Sequence, residues 1–240
     1  MNAENFNSYH HALKHIKQAF DPEILTSAKK RILDGIRQCD VSSLSEREQI
    51  AVSRGEAPDS LRLDSKNYDI WSNASNEVIQ SLGDFLWIYY PPQFRNIGKE
   101  VQEVRWHQDA GFNKALGNKA HKQIMTCFIP LDEKPSERVT VQFSREIYSF
   151  LEHAPTSNGF AAGLERDFTD LIHFDLELGD AVLFGDFVPH RTFAPKDSIW
   201  QRSSFEFRLV REAEALENKD YFNLQKRLFV QLNSDSPLNF

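Results

Sequence analysis

The chain has 240 residues, a net charge of −7, 40% hydrophobic residues, and 19 phenylalanines against two methionines. This suits one generous domain over residues 1–240 with a rigid aromatic interior. The acidic balance and the absence of a basic run argue against a nucleic-acid grip and against a cationic helix on a membrane surface.

Residues 8–20 carry Tyr9, Leu13, Ile16 and Phe20 at helical spacing, which predicts a short helix. On that wheel His11 and His15 fall opposite the apolar face, so they and His10 are expected to face water. Asp21 as N-cap, Pro22 at the first helical position, and the apolar series Ile24, Leu25, Ala28, Ile32, Leu33 and Ile36 predict a second helix over 22–38. Ser45 and Glu48 have the spacing of a capping box that opens another short helix. Residues 74–82 read as helical, stopped by Gly83.

From residue 85 the pattern changes. The run Phe-Leu-Trp-Ile-Tyr-Tyr at 85–90 is a strand by aromatic and β-branched content, closed by Pro91 and Pro92. Phe85, Trp87 and Tyr89 on its one face are expected to pack in the core. Further strand candidates are 101–106, 123–131, 138–143, 172–177, 180–187 and 202–210, with Gly179 and Asp180 turning into the fifth of these. A last helix is expected over 219–231. The order predicts a mainly β fold with flanking helices. A helical layer covers about 1–84, a β-sandwich or jelly roll covers about 85–211, and one helix closes the chain. Residues 110–122, with Gly111, Asn113, Lys114 and Gly117, read as a polar loop, either a lid over the substrate or an ordinary surface loop.

Cys39 and Cys127 form no C-x-x-C, and the first residues have neither a cationic start nor an apolar core. No uncharged apolar stretch approaches the about 20 residues of a bilayer span. The expectation is a cytoplasmic protein with free thiols and a small-molecule partner, without nucleic acid or membrane.

His107 and Asp109 lie two positions apart, so on an extended strand they point the same way. His190 follows Pro189 at the end of the 180–187 strand. Two imidazoles and one carboxylate are the ligand set of a mononuclear non-haem Fe(II) site, occupying one face of an octahedron. An isolated His-x-Asp is weak evidence in a chain with eight histidines. Here Trp106 precedes it, a glycine-containing loop follows, and Pro189-His190-Arg191-Thr192 supplies the third ligand. His121 and His153 read as loop or surface residues, and His173 as a core or edge histidine.

Four pieces carry a family resemblance: Trp106-His107-Gln108-Asp109, Phe-Ile-Pro-Leu-Asp at 128–132, Gly-Asp-Ala-Val-Leu-Phe at 179–184, and His190-Arg191-Thr192 followed by Arg202. Over roughly 85–210 the chain resembles the phytanoyl-CoA dioxygenase family of Fe(II)/2-oxoglutarate-dependent oxygenases. The resemblance implies a double-stranded β-helix, a cupin-like jelly roll, with iron on His107, Asp109 and His190. It also implies that Arg202 and Thr192 hold the far carboxylate of 2-oxoglutarate, and that Gln108 and Phe128 line the co-substrate pocket. A planar bidentate cation suits a carboxylate. Arg208 competes with Arg202 because strand alternation puts it on the same face. The chain departs from the family at Phe143-Ser144-Arg145, where Gly-Ser-His is frequent, which bears on local loop shape. Asp109 stands where related halogenases carry a small residue.

The implied activity is a dioxygenase that uses O2 and 2-oxoglutarate to hydroxylate, or otherwise oxidise, a C–H bond of a metabolite, with release of succinate and CO2. One alternative is an AlkB-like oxidative demethylase, because Arg202 and Arg208 form an Arg-x5-Arg pair. Another is a non-catalytic jelly-roll protein that binds a metal or ligand.

Overall fold

The computed structural model describes residues 9–62, 64–88, 92–98, 104–111, 123–146, 149–155, 161–211 and 230–231. The helix α1 (Pro22–Gln38) begins where the sequence places it. The Asp21 side chain accepts from the Glu23 N–H, and Leu25, Ala28 and Ile32 are buried along one side. α2 (Glu46–Ser53) opens with the complete Ser45/Glu48 capping box. After α3 (Asp59–Arg62), α4 (Asn76–Leu82) is capped by Ser75 and stopped at Gly83, whose φ of 60° relieves the helix end without a Cβ clash.

Twelve strands among the described residues form the rest. They are β1 (Leu13–Ile16), β2 (Trp87–Ile88), β3 (Gln93–Gly98), β4 (Met125–Pro130), β5 (Thr140–Ser144), β6 (Ala154–Pro155), β7 (Ala161–Gly163), β8 (Leu171–His173), β9 (Ala181–Gly185), β10 (His190–Phe193), β11 (Gln201–Val210) and β12 (Val230–Gln231). The larger sheet runs β1-β9-β4-β11-β2-β12, with β3 also paired to β11; the smaller runs β10-β5-β8, and β6 pairs β7. All these pairings are antiparallel. The result is a jelly-roll core of two facing sheets that do not close into a barrel.

Alternation on the larger sheet separates two environments. Phe205, Phe207 and Leu209 of β11, Cys127 and Ile129 of β4, and Leu183 of β9 share one core cluster with Leu25, Ala28 and Ile32 of α1. Burial of that helix face stabilises by roughly 1.5–3 kcal/mol per large side chain. The residues between them turn toward the smaller sheet. Phe128, Val182 and Phe184 join Val141, Phe143, Leu176 and Val188 in a second cluster. On β11 the inward residues are instead Arg202, Ser204, Glu206 and Arg208, so one wall of the interior is charged.

Several expectations change. The helix expected over 8–20 is helical only at 9–10 among the described residues, and Leu13–Ile16 form instead the edge strand β1, registered on β9 from Leu13↔Phe184 to Ile16↔Ala181. An open edge of β9 offers a ladder of partners to these residues, and that outweighs a spacing that also fits a helix. Two of the histidines there, His10 and His15, are engaged by carboxylates and do not point freely to water. His10 Nδ1 lies 2.5 Å from Asp186 Oδ1, and His15 Nε2 lies 2.8 Å from Asp180 Oδ2.

The 172–177 strand shortens to β8, where His173 is exposed at an edge. Of the 101–106 candidate, 101–103 lie outside the described residues and 104–106 contribute no strand. Of the expected last helix, 219–229 lie outside the described residues. Val230–Gln231 pair with Trp87–Ile88 as a strand. Residues 112–122 of the expected polar loop also lie outside. Phe85 and Trp87 are buried, as expected of core residues. Both cysteines are free.

Candidate metal centre

β10 begins at His190 and pairs with β5 on one side. On its other side it meets the segment that carries His107. The His107 N–H donates to the His190 carbonyl at 3.0 Å, and the His190 N–H donates to the His107 carbonyl at 2.9 Å. Directly opposed antiparallel residues send both side chains to one face. The ring centroids are 4.0 Å apart at an interplanar angle of 56°.

Each ring is oriented by its own chain. His107 Nδ1 lies 2.8 Å from the Arg105 carbonyl, and His190 Nδ1 lies 2.9 Å from the Val188 carbonyl. A carbonyl only accepts, so Nδ1 carries the proton in both rings and each Nε2 keeps its lone pair for a third party.

Asp109 reaches the same place by a different route from the one expected. The chain leaves its extended path after Gln108 and turns helical over 109–111, with the Ala110 N–H donating to the Asp186 carbonyl at 3.0 Å. Asp109 therefore joins the histidines through a turn, not through strand alternation. Its Oδ1 lies 3.9 Å from His107 Nε2 and 3.8 Å from His190 Nε2. One potential ligand atom from each of the three buried residues falls within 4.8 Å of the other two.

The charges are arranged for a cation. Burial pushes the His107 imidazolium well below its ordinary range, helped by His190, and burial likewise lowers His190. Both rings are neutral donors at neutral pH. Burial also works against ionisation of Asp109, but the Arg208 guanidinium and the Thr126 hydroxyl outweigh it and hold the carboxyl below the usual carboxylate range. Thr126 Oγ1 donates to Asp109 Oδ2 at 2.6 Å, and Arg208 Nη2 donates to Asp109 Oδ1 at 3.2 Å. Two neutral nitrogens and one anionic oxygen suit a divalent first-row metal and leave further coordination positions for small ligands.

Gln108 departs from its expected place at the co-substrate. Its amide nitrogen donates to the carbonyls of Ser149 and Phe187, and its amide oxygen accepts from the Leu151 N–H. Its backbone N–H donates to His153 Nε2 at 2.9 Å. Gln108 is thus a bracket that fixes the turn between two ligands against the 149–153 segment. His153, expected in a loop or at the surface, lies in a loop and is part of that bracket. A Cβ on Gly111 would collide with the His153 ring, so the close approach requires glycine.

Arg202 is 3% exposed, and its Nε and Nη1 are buried without a hydrogen-bond partner. Its guanidinium carbon lies 5.3 Å from the centre of the Phe128 ring. Burial pushes its pKa down to about 10, so it is still cationic at neutral pH. The neighbouring inward hydroxyl of Ser204 is also without a partner. A buried guanidinium with open donors is unfavourable unless a ligand completes it. Thr192 shares the inner face of β10 with His190, and its oxygen accepts from the Val104 N–H at 3.1 Å. Arg208, the other expected co-substrate arginine, spends its bonds on Asp109 and on Gln93 Oε1 at 2.8 Å.

Sequence reasoning did not single out Thr126, Gln93, Arg95 or Glu206. Their roles come from pairing across β3, β4 and β11, and only the strand register exposes them.

No protein-family model matches the chain, and no curated protein matches it. Solved structures do. The non-heme monooxygenase ThoJ aligns with a TM-score of 0.56 at 12% identity over 98% of this chain and 82% of its own. The epimerase SnoN, in complex with Fe3+, alpha-ketoglutarate and a nogalamycin compound, aligns at 0.52 with 13% identity over 83% and 78%. The alpha-ketoglutarate-dependent carbocyclase SnoK of nogalamycin biosynthesis aligns at 0.51 with 13% identity over 88% and 84%. At such identities the likeness is one of fold.

Proposed function

We propose that the protein is an Fe(II)- and 2-oxoglutarate-dependent oxygenase that oxidises a C–H bond of a small-molecule metabolite, with release of succinate and CO2. One observation carries the reading. The donors of His107, Asp109 and His190 converge in an interior whose neighbouring wall holds Arg202 with two unpartnered guanidinium nitrogens. The fold of ThoJ, SnoN and SnoK is consistent with it. Within that class, the motifs over 85–210 resemble those of the phytanoyl-CoA dioxygenase family.

His107, Asp109 and His190 would hold the iron, with neutral imidazoles that need release no proton to bind it. Arg202 would take the far carboxylate of 2-oxoglutarate through its open guanidinium donors, with a planar fork that lysine lacks. Thr192 accepts from the backbone through its oxygen and keeps its hydroxyl proton to donate to that carboxylate. Phe128 would flank the chain of the co-substrate. Bound iron and 2-oxoglutarate supply, with O2, the oxidising equivalent for the C–H bond. Phe143 and Phe184, with ring centroids 6.0 and 4.6 Å from that of His190, would help exclude water beside that ligand.

The outcome we propose is hydroxylation, because Asp109 supplies a third protein donor. The three structural neighbours are named as a monooxygenase, an epimerase and a carbocyclase, so one fold carries several outcomes. The acidic net charge disfavours the AlkB-like alternative. Among the described residues no helix is long and apolar enough to cross a membrane.

Iron-loaded protein with 2-oxoglutarate should release succinate above background when a metabolite panel includes the substrate. Turnover that survives thorough chelation would overturn the reading, and iron-loaded protein that never converts 2-oxoglutarate would favour a non-catalytic binder.

A further inference from the structure

Glu206 is a carboxylate set among guanidinium groups. On β11 it faces the interior between Arg202 and Arg208, and Arg95 of β3 stands opposite Ser204 in the ladder. Glu206 Oε1 lies 3.4 Å from Arg95 Nε, and its Oε2 lies 3.6 Å from Arg208 Nη2. Burial opposes its ionisation, but Arg95, Arg208 and Arg202 outweigh that and keep Glu206 charged. The effect is mutual, since Glu206 is the main cause that stabilises the charge of Arg95.

The three arginines on this wall are therefore in different states. Arg208 is committed to Asp109, Gln93 and Glu206. Arg95 is neutralised by Glu206. Arg202 alone of the three has buried nitrogens with neither a hydrogen bond nor an ion pair.

We propose, resting on the reading that this interior takes 2-oxoglutarate, that Glu206 is the specificity-determining residue of the co-substrate pocket. It occupies Arg95 and shares Arg208, so a 2-oxo acid finds a free cation only where its second carboxylate reaches Arg202. Short-range attraction between charges is strong in a poorly solvated interior, so a freed Arg95 would become a rival station for carboxylates of the wrong length. Selectivity is a difference of affinities, and removing rival partners creates it as effectively as improving the right one. The Glu206 carboxylate adds repulsion against any anion placed off register. Glu206 touches no reacting atom and acts through the arginines it holds.

The test is calorimetric binding to nickel-loaded protein, which separates binding from turnover. The probes are the four-, five- and six-carbon 2-oxo dicarboxylic acids: oxaloacetate, 2-oxoglutarate and 2-oxoadipate. Wild type should prefer the five-carbon acid by about tenfold or more. Glu206→Gln, nearly isosteric, should narrow that preference to within about threefold and let sulfate compete. Arg95→Gln combined with Glu206→Gln removes the liberated cation and should restore the preference. Should Glu206→Gln fail to fold, Glu206→Asp, which withdraws the carboxylate by one methylene, should narrow the preference partway. An unchanged preference in Glu206→Gln, or in Glu206→Asp if only that variant folds, would overturn the proposal and leave the 2-oxoglutarate reading intact. So would a double variant as unselective as the single one. Wild type that binds none of the three acids would overturn both.

Discussion

The peptide groups of His107 and His190 clasp each other, each N–H on the other's carbonyl at 3.0 and 2.9 Å, so the two imidazoles cannot part without breaking backbone pairing. Each ring is also tied through Nδ1 to a carbonyl two residues before it in the chain. A site built this way is set before any ligand arrives and loses little freedom on binding.

Arg202→Met should leave metal affinity within about threefold of wild type while weakening 2-oxoglutarate binding about 10- to 100-fold, the loss of charge-assisted bonds worth about 1.5–3 kcal/mol. Calorimetry with metal and then with 2-oxoglutarate checks this. Loss of metal binding instead would assign Arg202 to the framework.

Thr126→Val should lower metal affinity by about 10-fold or more with little change in shape, because Asp109 Oδ2 loses its 2.6 Å hydroxyl donor and the carboxylate is freed to rotate. Metal titration of the variant reads the effect. Wild-type affinity would show that Arg208 alone orients the carboxylate.

Gln108→Leu should destabilise the protein by about 3 kcal/mol or more, since the carbonyls of Ser149 and Phe187 and the Leu151 N–H each lose their amide partner at roughly 1–3 kcal/mol per orphaned group. Denaturant unfolding of the metal-free protein measures it. A variant of unchanged stability would refute the bracket.

The metal-free protein should lose stability as pH falls below about 6.5, the imidazole value in an unfolded chain. His107, His153 and His190 are each shifted down in the fold, with burial the first cause. Between the unfolded and folded values the unfolded chain binds more protons, so stability is full above that window and declines through it on acidification. Asp109, held low, adds a further loss in the carboxylate range below about pH 4. Melting temperatures across pH should show this decline, and a divalent metal should oppose it above the carboxylate range. A flat profile from pH 7 to 5 would contradict the assignment of buried neutral rings.

Local chemistry made much of the fold legible in the sequence. Asp21 and Pro22 mark the start of α1, Ser45 and Glu48 mark α2, and Gly83 marks the end of α4, because caps act within a few residues. The triad was legible because its embedding motifs are local. β1 was not, since Leu13 and Ile16 fit a helix until β9 supplies an edge. β3 was not either: its inward residues, Gln93 and Arg95, are polar because they line a charged interior, which hides the alternation of a strand. Thr126 and Glu206 look like ordinary strand residues, and only register against β11 and β4 gives them work.

The central claim is tested most directly by titrating the metal-free protein anaerobically with Fe(II), alongside His190→Ala. One equivalent should bind the wild type, and the variant should lose about 100-fold or more in affinity, the consequence of removing one of three protein donors. A His190→Ala protein that takes up iron with wild-type affinity and stoichiometry would contradict the account.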